Sequence, residues 1–512
     1  MATKQSNRLT RSAAILSAAL CIWISSCKHS EPDILITNVR IIDGSGAPLR
    51  EGSVRIRGER ILEVGSLKAT ANDSLVDGKG MCLAPGFIDA HSHHLGYLLR
   101  EPDAAATASQ GITTIVIGQD GGSEPMDSLQ ALFVRHGFAL NIASYTGQTT
   151  LREASMGEKD ILRPSKPEEL EKMKSMLRNE LSKGSLGLST GLEYEGSFYS
   201  TKEEVMELAK VTSGMGGRYI SHLRSEDLKL DEAVDEIVAI GRATGMPVKV
   251  SHIKIADKSR WGQAGEIIAR LEKARSEGID VTADVYPYTY WNSTLKVLFP
   301  DKGYKDLRSA QLACERLFDP DSSMLARFKP DSSFEGLMVS EIARRRRESP
   351  AQTLIALVAL AKGYREKNTD AEGVEAIAGK SMSEGDVREF TKWRHSVICS
   401  DGNAGRHPRG YGAFTRVLGR YVREAGLLPL EEAIHRMTGL TAQHLGIKNR
   451  GLIKPGHAAD LVLFDPATVV DNATLADSHA ISTGIVQVWV NGKATWKEGQ
   501  ATGSKPGVLV RR

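Results

Sequence analysis

Four histidines and two aspartates stand where apolar runs of the chain end, the places at which strands would present side chains to a site. His91 and His93 close the run GFIDAHSHH. Positions i and i+2 of a strand share a face, so both imidazoles point into the same space. His222 ends RYISH and His252 ends PVKVSH, each directly after an apolar run and each preceded by serine. Neutral imidazoles on rigid strand ends suit a divalent metal. Asp120 ends TTIVIGQD beside Gly121-Gly122 and offers an anionic ligand; a lone aspartate there would equally serve as a turn or helix cap. Asp401 ends HSVICSD. Beside a metal, a carboxylate can take the proton of an attacking water and return it to a departing amine. One H-x-H pair or one S-D-G turn is weak evidence. The same residue types recurring at the ends of several runs point to a metal-assisted site.

The elements that must position them alternate in type. Eight strand-like runs cover the middle of the chain, at 86–91, 113–118, 139–144, 184–190, 218–222, 247–252, 279–288 and 395–402. Amphipathic stretches such as PEELEKMKSMLRNELSK and DLKLDEAVDEIVAIGRATG lie between several of them. Repeated strand–helix units closing on themselves predict an α/β fold, a (β/α)8 TIM-type barrel whose polar residues gather at the C-terminal strand ends. A doubly wound open sheet shares the alternation but does not spread site residues over so many strand ends. Residues 300 to about 390 interrupt the pattern with charged text (ARRRRESP, YREKNTDAEG) and read as a helical insertion beside the mouth. Short alternating runs, ILITNVRII and SVRIRGERILEVG, precede the barrel. ADLVLFD and GIVQVWVNGKATWKEG follow it, with Asn491-Gly492 as a tight hairpin. The two chain ends are expected to build one small β-sandwich, 28–84 with 446–512, around a barrel at 85–445.

The 512 residues are 41% hydrophobic and 25% charged, which excludes a disordered or collagen-like chain. With 66 Lys and Arg against 63 Asp and Glu, the net charge of +3 leaves no electrostatic footprint for nucleic acid. Five cysteines, at 21, 27, 82, 314 and 399, are too scattered for a disulfide framework. Lys4, Arg8 and Arg11 precede the apolar run SAAILSAALCIWI. That run is shorter than the roughly 20 residues of a spanning helix and suits a signal peptide. It ends in Ile24-Ser25-Ser26-Cys27, which resembles the lipobox of bacterial lipoproteins. That resemblance implies cleavage before Cys27 and a lipid on its thiol. The protein would then be an exported cell-envelope lipoprotein, periplasm-facing or at the surface, touching the membrane only through that anchor.

Taken together, LAPGFIDAHSHH, GITTIVIGQDGGS, GSLGLSTGLEY, YISHLRSE, VSHIK, DVYPY, HPRGYGAFTRVLGRYVRE and GLIKPGHAADLVLFD resemble the amidohydrolase superfamily. They are closer still to its D-aminoacylase (N-acyl-D-amino-acid deacylase) branch, over roughly residues 34–512. The resemblance implies one or two zinc ions and a small N-acyl amino acid substrate, preferably of D configuration. It places a first metal position at His91 and His93, a tightly held zinc at His222 and His252, and a general acid/base at Asp401. It assigns the grip on the substrate carboxylate to Lys254, Tyr286 and Arg409, all of which offer hydrogen-bond donors. Three departures stand out. Where the branch has the cysteine of G-N-C-G, this chain has Gln119-Asp120-Gly121, a harder oxygen ligand that either bridges two metals or holds one less softly. Gln148 replaces the histidine of G-H-G-T-L-R and cannot titrate. The stretch from Asp401 to His407-Pro408-Arg409 is shortened, which reshapes the pocket floor. Two other readings stay open: a dipeptidase or cyclic-amide hydrolase on the same scaffold, and a non-catalytic binding protein that has kept the barrel.

Overall fold

The computed structural model describes residues 32–368, 373–403 and 405–512; the signal segment and lipobox lie outside them. Eight parallel barrel strands match the eight runs. They are β1 (Phe87–Asp89), β2 (Ile112–Ile117), β3 (Asn141–Ser144, resuming at Thr146–Gly147), β4 (Gly187–Gly191), β5 (Arg218–His222), β6 (Val248–Val250), β7 (Val281–Val285) and β8 (Ser396–Ile398). Each pairs in parallel with the next. Their residues are buried almost throughout, as strands covered on both faces require. The covering helices follow helical spacing. Met173, Leu177 and Leu181 are the buried face of the helix Pro167–Ser182, whose start is tied by Glu169 accepting the Lys166 N–H at 2.7 Å.

β1 and β8 are three residues each, too short to close the barrel by ladder pairing alone. Closure comes from one parallel bridge, Ser92 to Gly402, and from the carboxylate of Asp89. That side chain, fully buried, accepts the Ser400 N–H at 2.8 Å and the Ser400 hydroxyl. Burial pushes its carboxyl up to about 7, against the pull of the Ser400 bonds. The Asp401 N–H donates to the His91 carbonyl at 2.9 Å and the His93 N–H to the Gly402 carbonyl at 2.8 Å. One seam therefore fixes His91, His93 and Asp401 relative to one another.

Strands from both chain ends form a single nine-stranded sheet. Its joint is the antiparallel pair Cys82–Pro85 with Leu461–Phe464. Ile36, Val54, Ile56, Leu83, Leu463 and Trp489 make its separate core. The insertion is helical in its middle, with Pro350–Lys367 capped by Ser349 and Gln352. It also carries sheet: Tyr290–Ser293, Met324–Phe328 and Glu375–Lys380 pair antiparallel. It has a core of its own, including Phe299, Leu325, Leu354 and Ile377. Among the described residues no helix is long and apolar enough to cross a membrane. Cys82 and Cys399 are fully buried, as small apolar side chains.

The seam is testable. Asp89→Ala leaves the Ser400 N–H and hydroxyl without a partner in a dry environment, at about 1–3 kcal/mol per orphaned group. We expect a loss of about 2–4 kcal/mol, read as a lower urea midpoint of the metal-free protein at an unchanged slope.

Candidate metal site

The C-terminal ends of β1, β2, β5, β6 and β8 deliver the six residues to one point. His91 and His93 bring their Nε2 atoms within 3.3 Å of each other. His222 Nδ1 lies 3.2 Å from His252 Nε2. Asp120 stands between the two pairs. Its Oδ1 is 3.4 Å from His91 Nε2 and 3.3 Å from His252 Nε2, and its Oδ2 is 3.3 Å from His93 Nε2. Asp401 Oδ1 is 3.4 Å from His93 Nε2 and 3.6 Å from His91 Nε2. The six form two donor sets, His91–His93–Asp120–Asp401 and Asp120–His222–His252, each with its ligand atoms within 4.8 Å of one another; a third group, Glu193–His222–Glu226, gathers at the far ring nitrogen of His222. Four imidazoles and two carboxylates of this kind fit one or two zinc ions. The buried Asp120 Oδ1, which lacks a hydrogen bond, is consistent with that.

Charge and backbone both mark the place. Burial opposes ionisation of Asp401, yet Arg409 and the histidines hold its carboxyl well below the usual carboxylate range. Burial likewise opposes charge on Asp120, and His91 and His252 overcome it. Asp120, His252 and Asp401 all have left-handed backbones, with φ of 54°, 34° and 47°. Such conformations cost a non-glycine residue of order 1–3 kcal/mol and gather at functional sites.

The site opens into a cavity of about 540 Å³ that the barrel and the insertion line together. Trp291, Asn292, Val297, Leu298 and Leu317 supply its insertion wall, and Asn403, in the shortened stretch, lines it as well. Arg409 donates from Nη1 to Asp401 Oδ2 at 2.6 Å and from Nη2 to the Asn292 carbonyl at 3.3 Å. The Tyr286 ring lies 4.8 Å from the Arg409 guanidinium, and its hydroxyl is buried without a hydrogen bond. Lys254 is less free than its sequence position suggests, because Nζ donates to Glu226 Oε2 at 2.6 Å. Gln148 is not among the cavity's lining residues; its amide donates to Glu204 at 2.8 Å, beside the Arg152–Glu204 pair.

Sequence reasoning gave no role to Glu193, Glu226, Asp284 and Lys249. Glu193 accepts from His222 at 2.8 Å, and Glu226 lies 2.9 Å from His252 Nδ1. Asp284 accepts the His252 N–H at 2.6 Å and pairs with the buried Lys249, which also donates to the Ala90 carbonyl. A lysine in the middle of the otherwise apolar run PVKV was the one available signal of a charge inside the barrel.

A family profile described as "Amidohydrolase family" matches residues 74–319 and 333–495. A D-aminoacylase of Alcaligenes xylosoxydans xylosoxydans is 33% identical across 95% of this chain and 99% of its own length. Two solved structures are similar over 94% of this chain and 100% of theirs. One is an N-acyl-D-glutamate deacylase from Bordetella bronchiseptica, complexed with zinc and a phosphonate that mimics the tetrahedral intermediate, at 32% identity and TM-score 0.83. The other is a D-aminoacylase with a binuclear metal centre, activated by one metal and attenuated by the second, at 31% identity and TM-score 0.82.

Asp120→Ala removes the carboxylate that faces both histidine pairs. After equilibration with zinc and gel filtration, elemental analysis should find at least one ion fewer per chain than in the parent. Gln148→Ala, remote from the donor sets, should keep the parent's content.

Proposed function

The chain belongs to the amidohydrolase family, and from that premise we propose that it hydrolyses the amide bond of N-acyl-D-amino acids, releasing a carboxylic acid and the free amino acid. The observation that carries the reading is Asp401. It is an ionised carboxylate held between the His91–His93 pair and Arg409 on the wall of a substrate-sized cavity. Bound zinc supplies Lewis acidity toward an amide carbonyl and eases the ionisation of water. The remaining work falls to the chain. Asp401 Oδ1 accepts a proton from a water at the histidine cluster and returns it to the amide nitrogen as the C–N bond breaks. Arg409, with two contacts already made, keeps further N–H groups for a substrate carboxylate. Tyr286, not among the cavity's lining residues, bears on the substrate through its ring, which packs on the Arg409 guanidinium. Lys254, on the cavity wall, adds positive charge that it shares with Glu226. Fixing the carboxylate on one side and the acyl carbonyl on the other sets which face of Cα meets the wall, which is the physical origin of a D preference. His222, His252 and His91 with His93 are the metal ligands in this reading. Asp120, whose Oδ1 stands near both His91 and His252 and whose Oδ2 stands near His93, would serve as an oxygen ligand to zinc at either position.

The test is amine release from matched N-acetyl-D and N-acetyl-L amino acid sets by the zinc-loaded protein. We expect turnover of the D set, and a fall of roughly 10²–10⁴-fold in Asp401→Asn at unchanged zinc content. Silence on both sets with zinc bound would sink the reading and leave dipeptides and cyclic amides to be tried.

We infer further that the chain is anchored by lipid at Cys27 in the cell envelope, a reading supported by Ile24-Ser25-Ser26-Cys27 after a short apolar run. Metabolic labelling with radioactive palmitate should mark the protein and should be lost in Cys27→Ala. Equal labelling of the two would refute the anchor.

A further inference from the structure

Two buried glutamates on the cavity wall flank the His222–His252 pair. Glu193 follows β4 and Glu226 follows β5, and their side chains are 6% and 8% exposed. Glu193 Oε2 lies 2.8 Å from His222 Nε2, the ring nitrogen turned away from His252. Glu226 Oε1 lies 2.9 Å from His252 Nδ1, again the nitrogen turned away from the cluster. A neutral imidazole carries one proton, and a carboxylate accepts but does not donate, so each glutamate draws that proton to the nitrogen facing it. Lys254 sharpens the point. Its Nζ is 2.7 Å from His252 Nδ1 and 2.6 Å from Glu226 Oε2. Were Nδ1 to accept from Lys254, the ring proton would move to Nε2 and block the nitrogen that faces Asp120. Glu226 removes the conflict, because its two oxygens take the imidazole and the ammonium separately.

We propose that Glu193 and Glu226 are positioning residues that hold His222 and His252 in opposite tautomers, so that His222 offers Nδ1 and His252 offers Nε2 to the metal. Lys254 then serves first as the counter-ion of Glu226. This rests on the reading of His222 and His252 as ligands and is independent of the substrate. The backing is unequal across the cluster. His91 Nδ1 is buried without a hydrogen bond, its closest carboxylate Asp284 being 4.0 Å away. His93 is 34% exposed, and among the described residues its only carboxylate neighbours lie on the metal side. The rings of His222 and His252 are therefore held by carboxylates on their far nitrogens, and those of His91 and His93 are not.

The experiment uses metal binding and histidine spectra, not turnover. In the zinc-loaded protein with ¹⁵N-labelled histidine, the long-range ring spectra should show His222 protonated at Nε2 and His252 protonated at Nδ1. Chelator competition should find the tighter zinc site weakened tenfold or more in Glu193→Gln and in Glu226→Gln. The unfolding midpoint of metal-free Glu193→Gln should stay near the parent's, which separates positioning from a merely structural role; Glu226→Gln also leaves Lys254 without its counter-ion and should lower it. Should a variant fail to fold, the spectrum of the parent decides alone. Both histidines bound through the same ring nitrogen, or tight-site affinity within twofold of the parent in both variants, would overturn the proposal. A protein that binds zinc as described yet leaves all N-acyl amino acids untouched would refute the deacylase reading and leave this one standing.

Discussion

A carboxylate buried among imidazoles, at Asp120, is the constraint on which the rest of the site depends. An anion largely withdrawn from solvent, here a side chain 12% exposed on the cavity wall, needs positive charge or donors around it. Here the surroundings come from β1, β5 and β6, elements far apart in sequence, so the barrel must close accurately for the charge to be satisfied at all. That places weight on the shortest strands. β1 and β8 have too little ladder to hold themselves, and the Asp89–Ser400 contact supplies what the ladder lacks. The left-handed backbones of Asp120, His252 and Asp401 are a further cost that the closed barrel holds in place.

The metal cluster was legible because strands end abruptly. An apolar run followed by a histidine or aspartate announces both the strand's register and the side chain it delivers, and the eight runs became the eight barrel strands. What escaped notice lacked such a frame. Glu193 and Glu226 sit on loops after β4 and β5, where no periodicity distinguishes a buried glutamate from a solvated one. Asp284 lay within a strand run and read as part of it. The insertion's sheet was missed because MLARF and EAIAGK are short, contain little β-branching and alternate poorly. Lys254 was visible as a donor, but its partner, 28 positions earlier in the chain, was not. Gln148 was noticed as a departure, and the structure turns it toward Glu204, an arrangement that no local pattern encodes.

The carboxylates beside the cluster and those within it do different work. In the proposed reading Asp120 and Asp401 meet the cations and the transferred proton. Glu193, Glu226 and Asp284 lie where they set ring orientation and compensate charge, with Lys249 and Lys254 completing the balance. Neutralising Asp284 or Glu226 leaves Lys249 or Lys254 buried and uncompensated, so each of those pairs stands or falls together.

The insertion packs around a core that shares no residue with the barrel's, yet it contributes Trp291, Asn292 and Leu298 to the cavity. It touches the chemical machinery through polar bonds that include the Asn292 carbonyl on Arg409, the Tyr290 carbonyl on His407 and Lys302 Nζ on the Glu193 carbonyl. The molecule thus separates two kinds of heritable change. Drift within the insertion's own interior can remodel its wall of the cavity while the histidines, Asp120 and Asp401 keep their places. A lineage carrying this scaffold could diversify its diet without re-evolving its catalyst.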